Sequence, residues 1–279
     1  MKVGIIGGTG GMGRLFAPLF ERAGFSVIVS GRSTSISNRD IAEESDIVII
    51  SVPIHETISV IEEISPYLRA DQILCDFTSV KEGPVNAMLK TEAEVLGLHP
   101  MFGPSVSSLS GQTIISVPAR CRQESADILY NVFRDEDATV IEMDAGEHDR
   151  VMGVVQGLVH FATICVADAI RNSGISPEVI IPVMSPVYRI EMGIIGRILG
   201  QSPELYGDIL MMNSKSAEMA GKFSESSGEM LKYIREVDYE SFKELFEKNR
   251  EFFSGYIPQA TRDTDLVIDA LAKSGRPVK

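Results

Sequence analysis

Short apolar runs alternate with amphipathic stretches from the N-terminus to residue 143. KVGII, SVIVS, DIVIISV, QILCDF, EVLGL, TIISV and ATVIEM read as buried strands, being brief, rich in β-branched residues and bounded by glycine, proline or polar positions. Strands interleaved with helices predict parallel βα units in a doubly wound sheet. Beyond residue 143 the strand signals stop, and four long helical patterns are expected over 146–173, 177–200, 204–234 and 238–272. The fold class is therefore an α/β Rossmann-like domain, residues 1–143, followed by an all-α domain, residues 144–279. No repeat of fixed period occurs, and only the terminal SGRPVK reads as a loose tail.

Composition narrows the partners. The 279 residues are 44% hydrophobic, enough for a sizeable core. A formal net charge of −13 argues against nucleic acid or an anionic membrane surface, which require clustered lysine and arginine. Cys75, Cys121 and Cys165 have neither the spacing of a zinc site nor the parity of a disulfide framework, so no metal and a reducing cytoplasm are expected. The start, MKVGIIGGTGG, suits a first strand better than a secretion signal, and no apolar stretch is expected to span a bilayer.

The first strand runs into GGTGGMGRLF, which places Gly8, Gly10 and Gly13 at G-x-G-x-x-G spacing before a helix. In that setting the motif predicts a dinucleotide site formed by Gly8, Thr9, Gly10, Met12 and Gly13. Gly8 would make the tight turn, Gly10 would admit the pyrophosphate, and Gly13 would let helix and strand pack closely. A purely structural βα turn is the alternative. The second strand ends in VIVSGRSTS, with no carboxylate before Asp40. Ser30, Arg32, Ser33 and Thr34 suit a 2′-phosphate, which favours NADP and leaves NAD possible. Arg32 could equally stack on adenine or face solvent.

Ligands of open α/β sheets collect at the carboxyl ends of the strands. Those ends carry SVPIHE, DFTSVKEGP and HPMFGP, so Ser51, Pro53, Ser79, Lys81 and His99 should share one crevice. Ser79 is either a helix cap with Glu82 or a site residue, and Pro84 weakens the capping alternative. His55 reads as structural. His99, at a strand end and followed by Pro100, is placed as a proton acceptor. In the helical half, Gln156, His160 and Thr163 form a polar row on an apolar helix, to be satisfied by neighbouring helices or by a ligand. His148 reads as serving a helix terminus. Arg189 follows an N-cap at Ser185 and Pro186 at the first helical position, where the macrodipole disfavours a cation. It is a candidate carboxylate clamp, with a salt bridge to a distant helix as the alternative.

The motifs GGxGxMGRLF, SVPIH, SVKxGP, LGLHPMFGP, EHD, Q-x-x-x-H-F-A-T, SPxYRxE, IGR and LYxDI, in this order, resemble the prephenate dehydrogenases, above all the dehydrogenase part of the fused chorismate mutase–prephenate dehydrogenases. The resemblance implies NAD(P)-dependent oxidative decarboxylation of prephenate to 4-hydroxyphenylpyruvate in tyrosine biosynthesis. It also implies a helical domain that builds a homodimer, with the active site between the domains. His99 would accept the C4 hydroxyl proton, with Ser79 as its partner near the nicotinamide. His160 and Gln156 would line the substrate pocket, and Arg189 would bind a prephenate carboxylate, with Lys81 as a second possible cation. With no mutase segment before the first strand, a single-function form is expected. The sequence departs from the family where the acidic residue after the second strand is replaced. It also departs at Pro104 and Gly157, where the monofunctional bacterial branch tends to have a hydroxyl and a further histidine. Arogenate is the alternative substrate. A different NADP oxidoreductase or a non-catalytic NADP-binding dimeric sensor would account for the glycine loop alone.

Overall fold

The computed structural model describes residues 1–274; the expected tail beyond Ser274 lies outside the described residues. The described chain forms two compact units, one made of Met1–Gln156 with Gly207–Ser216, the other of Gly157–Tyr206 with the residues from Ala217 on.

All seven expected strands form. In the first unit, β1 (Lys2–Ile6), α1 (Gly11–Arg22), β2 (Ser26–Ser30), α2 (Asn38–Glu44), β3 (Ile47–Ile50), α3 (Ile54–Ile64), β4 (Ile73–Asp76), α4 (Glu82–Met88), β5 (Glu94–Pro100), β6 (Thr113–Arg120), α5 (Gln123–Asp135), β7 (Thr139–Glu142) and α6 (Ala145–Met152) follow one another. The strands form one sheet in the order β2-β1-β3-β4-β5-β6-β7. The sheet is parallel except that β6 runs antiparallel to β5. That corrects the expectation of parallel units throughout. Residues 101–112 carry no helix to make a crossover, so the chain can only turn back along its neighbour.

One face of the sheet is covered by α1 and α5, through Phe16, Leu19, Phe20, Leu129, Tyr130 and Phe133. The other is covered by α2, α3 and α4, through Ile41, Ile61, Ile64, Val85 and Met88. Burial on both faces explains why β3 reads as an unbroken IVII. The strand order reverses at β1, and its carboxyl end opens into the glycine loop. The first unit reaches past residue 143 because α6 is bound into it: the Asp149 carboxylate accepts from the backbone N–H groups of Lys81 and Glu82, capping α4 in place of Ser79.

Each expected long helix is interrupted. Residues 145–172 form one 28-residue helical run, in which α6 passes through a π-helical stretch at Gly153–Leu158 into α7 (Val159–Asn172). This run is long and apolar enough, at a mean hydropathy of 1.6, to cross a bilayer by length and composition alone, contrary to the expectation that no such stretch exists. The 177–200 pattern divides into α8 (Pro177–Ile180) and α9 (Pro186–Leu199), because Pro186 has no N–H to continue a helix and Met184 before it is extended. The next pattern divides at Asn213 into α10 (Pro203–Met211) and α11 (Ser214–Glu236), and the last at 253–256 into α12 (Tyr239–Phe252) and α13 (Ile257–Lys273).

Candidate active site

The glycine loop forms with one correction. The left-handed turn residue is Gly7, at φ +77°, and not Gly8. Gly8 packs against Val29, and a Cβ on Gly13 would lie 2.4 Å from the Gly8 Cα, which is the close helix–strand approach expected of the motif. Gly10 is the N-cap of α1, with no side chain capping the helix and no acid in its first turn. Its leading N–H groups are thus suited to an anion, so the loop fits the pyrophosphate of a dinucleotide. Thr9 is half-buried and fits into space left by Gly31, while Met12 packs against the core.

The cofactor residues proposed at β2 behave differently from one another. Ser30 is buried and its hydroxyl donates to Asn38 Oδ1 at 2.8 Å, which ties the end of β2 to α2. The hydroxyl of Thr34 closes the turn with Gly31 and Ile36. Arg32 and Ser33 are exposed, and the Arg32 guanidinium lies 3.8 Å from Glu56. At the end of β3, Ser51 is half-buried and Pro53 is exposed at the start of α3. His55, on α3, has Nδ1 2.7 Å from Asp208 Oδ2.

At the end of β4 the chain buries an ion pair. Lys81 Nζ contacts Asp76 Oδ2, and both side chains are fully enclosed. Burial pulls the lysine pKa below its ordinary value, against the pull of Asp76. Gly97 on β5 makes this possible, since a Cβ there would come within 3.1 Å of the Lys81 stem. Lys81 is therefore not the surface cation expected to meet a substrate anion. Ser79, two residues earlier, is half-buried, and no hydrogen bond links it to His99 among the described residues.

His99 sits near the end of β5, 2% exposed. Its Nδ1 lies 2.8 Å from His148 Nε2, and its Nε2 lies 3.3 Å from the amide nitrogen of Gln156. His148 Nδ1 in turn lies 2.7 Å from Asp149 Oδ1. His148 is thus a fully buried member of the site, which corrects its assignment to a helix terminus. Burial drives the His99 pKa well below 6.5, and the neighbouring His148 and Lys81 push it the same way. Burial also lowers His148, against the hydrogen bond to Asp149. For Asp149, burial pulls the pKa up, yet the hydrogen bonds from His148, Glu82 and Lys81 win and hold it low. The result is two neutral imidazoles beside an ionised carboxylate. The carbonyl oxygen of Gln156 is buried without a partner, leaving one acceptor to be satisfied.

In the second unit, the His160 ring stands edge-on to Tyr206 at 4.9 Å, with its Nδ1 buried and unpartnered. Burial lowers its pKa. Arg189 lies in the first turn of α9, where its guanidinium donates to the Leu271 carbonyl at 3.2 Å. His148 and Asp149 are the residues that sequence reasoning missed. The adjacent His148 and Asp149 of EHD are visible in the sequence, but the reach of His148 to β5 is not.

A mostly parallel sheet with an uncapped glycine-loop helix at its switch point, a buried histidine at a strand end and a following helical unit define a dinucleotide-binding class of α/β protein. Residues 17–142 match the family described as prephenate dehydrogenase, nucleotide-binding domain, and residues 144–248 match prephenate dehydrogenase, dimerization domain. A probable arogenate/prephenate dehydrogenase of Methanocaldococcus jannaschii is 34% identical over 97% of this chain, which spans 65% of that protein's length. The T-protein of Haemophilus influenzae is 33% identical over 94% of the chain and 70% of its own length. A crystal structure of prephenate dehydrogenase from A. aeolicus, in complex with hydroxyphenyl propionate and NAD+, superposes with a TM-score of 0.71 at 22% identity, covering 91% of this chain and 98% of the other. The chain belongs to the prephenate dehydrogenase family.

Proposed function

We propose that this chain oxidises prephenate with loss of CO2, using a nicotinamide cofactor. The observation that carries the reading is His99: an imidazole buried at a strand end, with its Nε2 facing, among the described residues, the amide nitrogen of Gln156 at 3.3 Å. A bound nicotinamide dinucleotide supplies the hydride acceptor. The N-terminus of α1 would hold its pyrophosphate, with Gly8, Gly10 and Gly13 shaping the loop. His99 Nε2 takes the C4 hydroxyl proton as the hydride leaves, so that a carbonyl forms where the alcohol stood. Departure of the ring carboxylate as CO2 then makes the ring aromatic. Gln156, His160 and Arg189 are the proposed substrate-binding residues. The buried orphan atoms on Gln156 and His160 support this role, since polar groups shut away from water need partners. Ser79 would stand near the nicotinamide, with no hydrogen bond to His99 among the described residues.

Arg32 and Ser33, exposed after β2 in a segment with no acid before Asp40, favour NADP over NAD. Only 11% of the apolar stretch within the α6–α7 run is buried, and we assign its cover to a second copy of the chain, as a homodimer in the cytoplasm, and not to lipid. The test is reduced-nicotinamide absorbance with prephenate and arogenate, each with NADP and NAD. Prephenate with NADP should give the highest kcat/KM and yield 4-hydroxyphenylpyruvate. A preference for arogenate would move the substrate assignment, and no reduction with any pair would remove the dehydrogenase reading.

A further inference from the structure

The bonds from Asp149 to His99 can run in only one direction. An ionised Asp149 only accepts, so His148 Nδ1 carries hydrogen and donates to it. A neutral His148 protonated there has a bare Nε2, which accepts from His99 Nδ1 at 2.8 Å. A neutral His99 with hydrogen on Nδ1 has a bare Nε2. That nitrogen meets the amide N–H of Gln156, a donor, as this sense requires.

We propose that His148 and Asp149 are positioning residues that fix His99 in the tautomer whose Nε2 accepts the substrate proton, and that the Nδ1 proton of His99 passes to His148 in the same step. The inference rests on the dehydrogenase reading above and deepens it. In the step, the substrate O–H bond breaks and the His99 Nε2–H bond forms. The His99 Nδ1–H bond breaks and the His148 Nε2–H bond forms. His99 ends neutral, and His148 becomes an imidazolium against the Asp149 carboxylate. Return of the proton from His148 to His99 Nδ1, with release from Nε2 to solvent, restores the start.

The surrounding charges favour this destination. The groups facing the two rings are Asp76 and Lys81 from the end of β4, Asp149 from α6, and the neutral amide of Gln156. Lys81 disfavours positive charge on both rings, whereas Asp149 and Asp76 favour it on His148. Nearly complete enclosure keeps solvent from screening these effects.

The experiment uses the full chain. Ring-nitrogen NMR of the substrate-free protein at neutral pH should find His99 protonated at Nδ1 and bare at Nε2; the opposite tautomer overturns the proposal. This readout needs no turnover, so it is separate from whether prephenate is the substrate. His148→Gln can accept the Nδ1 hydrogen without holding a charge. It should preserve the tautomer while kcat falls on the order of 100-fold, with KM values near wild type. A wild-type kcat would contradict the proton transfer. Asp149→Asn removes the carboxylate's charge, so the acid limb of kcat/KM should move to lower pH as its plateau falls. A lower plateau with an unmoved limb would mean that Asp149 acts only as the cap of α4, and would overturn its part.

Discussion

The two units place their apolar residues in opposite ways. In the first, both faces of the sheet are covered from within the chain, and Phe16, Phe20, Tyr130 and Phe133 are shut away from water. In the second, Ile195 and Ile198 are the buried hydrophobic residues among those described, while Val159, Val166, Tyr188, Ile194, Phe252 and Leu266 stand exposed. The first unit has an interior of its own. The second has surfaces that require cover, and large exposed apolar patches mark interaction sites. The contrast separates a unit with a sealed interior, which encloses His99 and its hydrogen-bonded neighbours, from a unit whose apolar faces stand open among the described residues.

The contrast predicts, first, that Phe16→Ala will destabilise the first unit by about 3–5 kcal/mol, measured by denaturant unfolding, since a large ring leaves a cavity in a sealed core. Second, Val166→Asp on α7 should weaken self-association on the order of 100-fold, about 3 kcal/mol, by sedimentation, because the charge would be carried into a desolvated interface. Unchanged association would show that α7 is covered by something other than a second copy.

Third, acid should weaken the fold from about pH 6.5 downward. His99, His148 and His160 all have folded-state pKa values below their ordinary one. The unfolded chain therefore binds protons that the folded chain refuses. Stability is full above about pH 6.5 and falls as pH drops, by up to about 1.4 kcal/mol per pH unit for each histidine. Two of the three lie in the first unit, so its melting temperature should fall more steeply. Fourth, Arg32→Ala should raise the Kd of NADP about tenfold and leave that of NAD nearly unchanged, by titration calorimetry. Equal losses would point to stacking on adenine, which the two cofactors share.

The same contrast governs what the sequence made legible. Strands were legible because burial on both sheet faces writes continuous β-branched runs, as in IVII of β3. The glycine motif was legible in its spacing, although the left-handed turn fell one residue earlier, at Gly7, which the spacing rule does not address. The antiparallel β6 was missed because strand periodicity carries no direction; the absence of a helix in residues 101–112 was the usable signal. The start of α9 is legible in its N-cap at Ser185 and in Pro186 at the first helical position, whereas the break at Asn213 lies under an apolar pattern that runs on regardless.

For the site, His99 and Gln156 stand out in the sequence for separate reasons, and the fold brings them within 3.3 Å. A lysine at a loop is ordinarily exposed, which makes Lys81 look like a cation for the substrate; space beside Gly97 and the carboxylate of Asp76 bury it instead. His148 and Asp149 are adjacent in sequence, yet their partners are His99 on β5 and the first N–H groups of α4. Only tertiary contact reveals such a pairing.

The central claim is that the His99 imidazole takes the substrate's hydroxyl proton. The most direct measurement is steady-state turnover of His99→Asn with saturating cofactor, beside its cofactor affinity. The account predicts a kcat lower by on the order of 100- to 10,000-fold with cofactor binding intact. Turnover at the wild-type rate would contradict it.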